Sequence, residues 1–429
     1  MANLLERASI VLTPTAYNNG EALCVKPEDG SGDFQFSRAT EGTRINSLGL
    51  VEVVANNLPR INYEGFSYDG SGNIIPDSGC GHWLWENQST NLITQSELFS
   101  DSSWIKEGGA TIDLNTEISP TGSLNASYLQ APIGTNITPR IAYSFTSAAG
   151  TSYVGSVFLK KDNIDFIRIL STGATSSTLQ AYYNISNGTL GAAGTPSKAK
   201  IENYGNGWYR LSLIIDAVNS NSIATFRVQL TDGDGAGVAD FNGTEKNIIF
   251  GAQLENQTYS TSYIPTDGTQ KTRNQDLCTN GGSVSTINST EGVLYAEIAA
   301  LADDGTNRYI SLNNGGTTDY LFFRYRSDNN FQIRFRSGNV DSVNTTTSLA
   351  NNLDFNKIAF SYKLNEFKIF VNGLQVGSTI TSGSSFSASI SNLDFGSFNG
   401  GDDFYGKTKA IAVFSEALTD EELTLLTTI

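Results

Sequence analysis

The stretch "DYLFFRYRSDNNFQIRFRSG", residues 319–338, decides the fold class. Apolar and polar side chains alternate on both sides of "SDNN", which is the period of a strand and not of a helix. Two strands joined by a tight turn follow, with Leu321, Phe323, Tyr325, Phe331, Ile333 and Phe335 directed into a core. Tyr320, Phe322, Arg324, Arg326, Gln332, Arg334 and Arg336 then share the opposite face.

Working outward, the same alternation recurs in "GVLYAEIAAL", "RYISLNN", "NKIAFSYKL", "EFKIFVNGLQVGS" and "LDFGSF". One short helix closes the chain, with Thr419 as its N-cap and Glu421 and Glu422 in its first turn. Upstream, "RIAYSFTS", "SYVGSVFLKK", "DFIRILSTG", "STLQAYYNIS", "GNGWYRLSLIIDA", "NSIATFRVQLTDGDG" and "NIIFGAQLE" give about eight strands, the count of a two-sheet jelly roll. In "SYVGSVFLKK" both faces are partly apolar, which suits an inner strand. The polar run 266–292 holds a domain boundary. The expected architecture is all-β: an N-terminal β segment at 1–90, a jelly-roll β-sandwich at 91–270, a linker at 271–285 and a second sandwich at 286–429 with one short C-terminal helix.

Composition agrees with short strands and tight turns: 429 residues with 42 Gly, 10% aromatics and a single His. The formal net charge of -16 at pH 7 makes a nucleic-acid backbone or an anionic membrane an unsuitable partner. No run approaches the length of a membrane span, and the N-terminus has no signal-peptide pattern, so synthesis and folding in cytoplasm without membrane insertion are expected. Cys24, Cys80 and Cys278 lack metal or disulfide spacing and are expected to be buried thiols.

Catalysis by a serine or cysteine triad needs an imidazole, and His82, between Gly81 and Trp83, is expected to be structural. The chain is therefore expected not to be an enzyme, with no catalytic residues. Asp232, Asp234 and Asp240 in "TDGDGAGVADFNG" are oxygen ligands of a calcium-loop kind, so calcium is the one cofactor left open, against a plain turn. Sugars are held by aromatic faces and by hydrogen-bonding side chains, which makes Trp104, Tyr182, Tyr183 and Tyr204 candidates in the jelly roll. In the second sandwich the candidates are Tyr320, Arg324, Arg326, Gln332, Arg334 and Arg336, since four arginines on one face of an acidic chain can fork onto carboxylates or sulfates of an acidic glycan. A solvated outer sheet, or pairing with acids of a neighbouring subunit, are the alternatives.

"NLITQSELFSDSSWIKEGGATI" (91–112), "SVFLK", "GNGWYRLSLII" and "IIFGAQLENQTYSTSYIPT" (248–266), in that order, resemble the carbohydrate-binding-module-like jelly rolls of bacteriophage tail and head-fibre proteins. Residues 33–64 resemble the segment preceding such modules, although Trp83 and Trp85 depart from the small aliphatics usual after it. "KIAFSYKLNEFKIFVNGLQVGS" with "FYGKTKAIAVFSEALTDEEL" resembles a concanavalin A-like, laminin-G type sandwich with a turn at Asn372 and Gly373. Glycoside hydrolases on that fold place carboxylates along one strand, and no such run follows residue 280. The resemblance implies a virion fibre, spike or decoration protein attached to other virion proteins through its N-terminal segment. It further implies binding to host-surface or environmental polysaccharide, and homo-oligomers, commonly trimers. A purely structural capsid or tail decoration protein, and a glycan-degrading tailspike, are the rival expectations.

Overall fold

The computed structural model describes residues 2–77, 79–218 and 222–429. The hairpin forms as its alternation requires: Tyr320–Tyr325 runs antiparallel to Phe331–Ser337, with Tyr325 opposite Phe331. Arg326 N–H donates to the Asn330 carbonyl at 2.9 Å, and Asn329 takes the left-handed conformation at φ 61°. These strands sit in a five-stranded sheet between Val340–Thr347 and Arg308–Asn313, with Asn392–Asp394 at the far edge. All six inward side chains lie in one core with Leu294, Ile298, Phe360, Ile411 and Val413 of the opposing sheet. Phe335 is enclosed by Phe386, Phe367, Tyr362 and Phe360, at centroid separations of 4.3, 5.1, 5.6 and 6.0 Å. Asn372 and Gly373 turn at positive φ, and Thr419 and Glu422 form a capping box on the helix Asp420–Thr427.

The opposing sheet draws on the N-terminal segment. Its strand Gly406–Phe414 pairs along one edge with Glu291–Ala300 and along the other with two N-terminal pieces, Ile10–Leu12 and His82–Trp85. Ile61–Asn62 extends the sheet beyond His82–Trp85, and Phe34–Ser37 pairs with Leu277–Thr279. Strands between Ile10 and Trp85 are thus woven into the C-terminal sandwich. Trp83 and Trp85, 0% and 1% exposed, stack at 5.7 Å inside its core. "HWLW" is buried at all four positions, so it has no alternation to read, and one of its two partner strands lies more than three hundred residues downstream.

The jelly roll is two six-stranded antiparallel sheets closing on a second core that includes Trp104, Val157, Ile169, Tyr183, Leu213 and Phe226. Ser152–Lys161 is an inner strand between Lys246–Glu255 and Trp208–Asp216. Its Tyr153, Val157 and Leu159 face the core, while Phe158 on the other side packs under Tyr204, Trp208 and Tyr263. At Gly155 a Cβ would lie 2.3 Å from the Phe226 ring, so the two sheets approach too closely there for any side chain. The sheets hold more strands than alternation reveals, because edge strands such as Thr111–Ile118 are half exposed and largely polar.

The residues behind the jelly-roll resemblance share one task. Asn91 Nδ2 donates to the Ile264 carbonyl (2.9 Å), Gln253 Oε1 accepts from Ile264 N–H (2.6 Å) and Arg210 Nη1 donates to the Thr261 carbonyl (2.6 Å). Ser96 Oγ accepts from Thr266 N–H at 2.8 Å. Together they clamp the exit tail 261–266 to the module. Glu86 extends the clamp, accepting from Ser262 N–H and Oγ at 2.7 Å each while pairing with Arg60 at 2.7 Å and Arg273 at 3.5 Å. Asp276 joins Arg60 and Arg38 in the same buried group. Burial alone would raise the Glu86 carboxyl, but Arg273 and Arg60 outweigh it and hold it at about 2.

Candidate functional site

The outward side of the hairpin carries the arginine face that alternation predicts. Register places Tyr320 opposite Arg336, Phe322 opposite Arg334 and Arg324 opposite Gln332. Beneath the guanidiniums lies an aromatic floor of Tyr309, Tyr320 and Phe322, closed by Phe398 from a loop some sixty residues on in the chain. Phe398 stacks on Tyr320 with centroids 3.8 Å apart and planes 9° from parallel, and Tyr309 meets Phe322 edge-on at 5.0 Å.

The arginines are seated on this floor. Arg324 lies 5.3 Å over Tyr309 and 5.8 Å over Phe322, and its Nη1 donates to the Tyr309 hydroxyl at 2.6 Å. Arg334 and Arg336 lie 5.8 and 5.6 Å over Tyr320, and both bind Asp341, at 2.6 and 2.7 Å. Arg326 pairs with Asp328 at 3.0 Å. Arg326 is the main cause holding the exposed Asp328 carboxyl at about 2. Burial would raise Asp341, but hydrogen bonds from Arg336 and Arg334 hold it below the usual carboxylate range. Four guanidiniums thus face two carboxylates, and the buried Nε–H groups of Arg324 and Arg334 have no partner among the described residues. The arrangement can accept an anion by exchanging one carboxylate for another.

Several expected contacts are corrected. Tyr320 is 1% exposed and lies beneath Phe398, so it is floor and not a sugar platform, and Gln332 is buried against Asn344 at 2.6 Å. Trp104 is sealed between Phe99 and Tyr143, with its Nε1 donating to the Gln95 carbonyl at 2.8 Å. Tyr183 is in the jelly-roll core and donates to the Ser212 carbonyl at 2.6 Å. Tyr182 points the other way, yet it is 2% exposed, with the Arg168 guanidinium 5.7 Å over its ring. Aromatics are favoured in cores by their area, and Trp104 and Tyr183 obey that pull, while Tyr182 is covered from outside the core.

Asp232, Asp234 and Asp240 do not converge. Asp234 accepts from Ala192 and Ala193 N–H at 2.7 and 3.1 Å, while Asp240 accepts from Asn136 N–H at 2.8 Å. Among the described residues no group of three His, Cys, Asp or Glu side chains is placed to hold a metal ion. His82 is fully buried against Phe355, and burial holds its imidazole at about 3. Cys278 is buried and Cys24 half-buried, but Cys80 is exposed. Among the described residues no helix is long and apolar enough to cross a membrane.

Sequence reading missed Tyr309, Phe398 and Asp341. Asp341 was within reach, since "VDSVNTTT" is the next strand and register sets Asp341 beside Arg336. Phe398 ends "LDFGSF", which reads as one strand, but the strand stops at Asp394 and Phe398 lies in the turn beyond it.

Residues 283–424 match the family model described as the Concanavalin A-like lectin/glucanases superfamily. Among solved structures, the CBM40 module of a Ruminococcus gnavus IT-sialidase is 14% identical, covering 35% of this chain and 93% of its own, with a TM-score of 0.30. Domain 4 of AbnA, a GH43 arabinanase of Geobacillus stearothermophilus in complex with arabinotriose, is 13% identical and covers 40% of this chain and 84% of its own, at 0.30. Domains LG4-5 of mouse laminin alpha1 are 8% identical, covering 73% of this chain and 93% of their own, at 0.23. No curated protein matches the chain. Residues 283–424 are therefore a concanavalin A-like, laminin G-like domain within a nearly all-β chain.

Proposed function

We propose that the chain is a non-catalytic, glycan-binding virion protein that holds acidic glycans on the arginine face of its C-terminal sandwich. The observation that carries this reading is the guanidinium layer itself, cationic in a chain of net charge -16 and preset by its aromatic floor. A sulfate or carboxylate of a glycan takes the place of Asp341 between Arg334 and Arg336, and Arg324 supplies a further fork. The superfamily of residues 283–424 includes lectins, which agrees with binding as the activity. The virion assignment rests on the ordered motifs from Asn91 to Thr266. Attachment to other virion proteins then falls to surface outside the woven strands, where Tyr68 and Ile75 are exposed, and assembly as a homo-oligomer, a trimer by resemblance, accompanies it.

The test is a glycan array probed with the purified chain and with an Arg324→Ala/Arg334→Ala variant. Binding to sulfated or uronic-acid glycans that the variant loses supports the reading. Retained binding moves the site elsewhere, and no binding by either chain favours a decoration protein.

A further inference from the structure

Between the two sandwiches lies a cavity of about 950 Å³, within the size range of sites that enclose a small ligand and at the kind of interface where such sites form. One wall is the outward side of the jelly-roll strands Ala199–Gly205 and Trp208–Asp216. The other comes from the N-terminal stretch, the last strand and the loops around residues 303 and 354.

Three ion pairs stand in its lining, beside Asp303 and Asp354, whose carboxylates accept from the Asn352 and Asn351 amides at 2.8 and 3.0 Å. Lys200 bonds Glu202 at 2.7 Å, Lys198 bonds Asp216 at 2.6 Å and Lys407 bonds Glu64 across the N-terminal junction. These side chains still meet solvent in the cavity, Lys200 being 62% exposed. A charged ligand that engaged one of these three pairs would have to break it and strand the partner. A hydroxyl adds to both members, because each carboxylate keeps free lone pairs and each ammonium keeps free protons. Tyr259 also lines the space, fixed by its hydroxyl's bond to Asn87 Oδ1 at 3.0 Å. Neighbouring Ser260 has a buried hydroxyl without a partner among the described residues, so turning it toward a ligand sacrifices no bond.

We propose that this interdomain cavity is a binding site for a short neutral oligosaccharide, separate in place and chemistry from the arginine face. The full chain is titrated calorimetrically with neutral trisaccharides of the β-1,4-glucan, β-1,3-glucan, α-1,4-glucan and β-1,4-xylan types, and its lysines are footprinted by acetylation and mass spectrometry. At least one trisaccharide is expected to bind saturably and to shield Lys198, Lys200 and Lys407. Glu202→Gln is expected to weaken that binding at least tenfold, and Ile214→Trp, which adds bulk to the lining, to abolish it with an unchanged unfolding midpoint. Arg324→Ala/Arg334→Ala is expected to leave it intact, so failure here and failure of the acidic-glycan reading are distinguishable. The proposal is overturned if no trisaccharide shields those lysines, or if shielding survives Ile214→Trp.

Discussion

The two sandwiches differ in how the chain supplies them. Both sheets of the jelly roll come from one continuous stretch between Trp104 and Glu255, whereas the C-terminal sandwich draws strands from Ile10–Leu12, Phe34–Ser37, Ile61–Asn62 and His82–Trp85 as well as from Leu277 onward. A fold built from neighbours depends on its own text alone. One closed by distant strands fails if either end is removed, and its completion brings the jelly roll's exit tail against Glu86.

The largest expected effect probes that dependence. Trp83→Ala should cost about 3–5 kcal/mol, the usual penalty for emptying an indole's place in a core, and should unfold the C-terminal sandwich first. Denaturant titration followed separately for each sandwich checks this, and an equal loss from the jelly roll would show that the two unfold as one.

Next comes the buried junction. Glu86 is held at about 2 against an ordinary 4.5, which corresponds to about 3 kcal/mol of stability. That contribution is complete above pH 4.5 and drains away as pH falls toward 2, because the unfolded chain takes up the proton first. Glu86→Gln should therefore lose about 3 kcal/mol at pH 7 and flatten the profile between pH 4.5 and 2. An unchanged acid limb would mean that the arginines there are held chiefly by other partners.

His82 sharpens the same comparison in a higher window. Burial keeps it neutral down to about pH 3, while in the unfolded chain it charges near 6.5, so stability falls with pH at about 1.4 kcal/mol per unit below 6.5. His82→Gln should remove that slope from the C-terminal sandwich and leave the jelly roll's profile alone. The smallest change in stability belongs to Asp341→Asn, under about 1 kcal/mol for a partly exposed pair. Its effect on an acidic glycan should be severalfold tighter binding, read on the same array, since Arg334 and Arg336 lose their internal competitor.

Legibility followed the range of the contacts. The hairpin at 319–338 could be read at sight because each strand's partner is the next strand, and the same holds for the Asn372–Gly373 turn and the capping box at Thr419. "HWLW" could not, since a segment buried on both faces lacks a period and one of its two partner strands lies at Gly406–Phe414. At the candidate site, alternation gave the correct face for Tyr320 and for the arginines. It could not show that Phe398 covers the ring, nor that Tyr182 lies under Arg168, because sidedness and exposure are different properties.

The pairing of His82–Trp85 with Gly406–Phe414 also imposes a waiting time during synthesis. At roughly 5–20 residues per second, Trp83 and Trp85 leave the ribosome some fifteen seconds to a minute before the strand that covers them exists. The jelly roll can fold during that interval, between a sticky leader and an unfinished tail. Ribosomes stalled near residue 290 should therefore carry a protease-resistant module beside a cleavable N-terminal stretch. Those two indoles are where a chaperone is most needed on this chain.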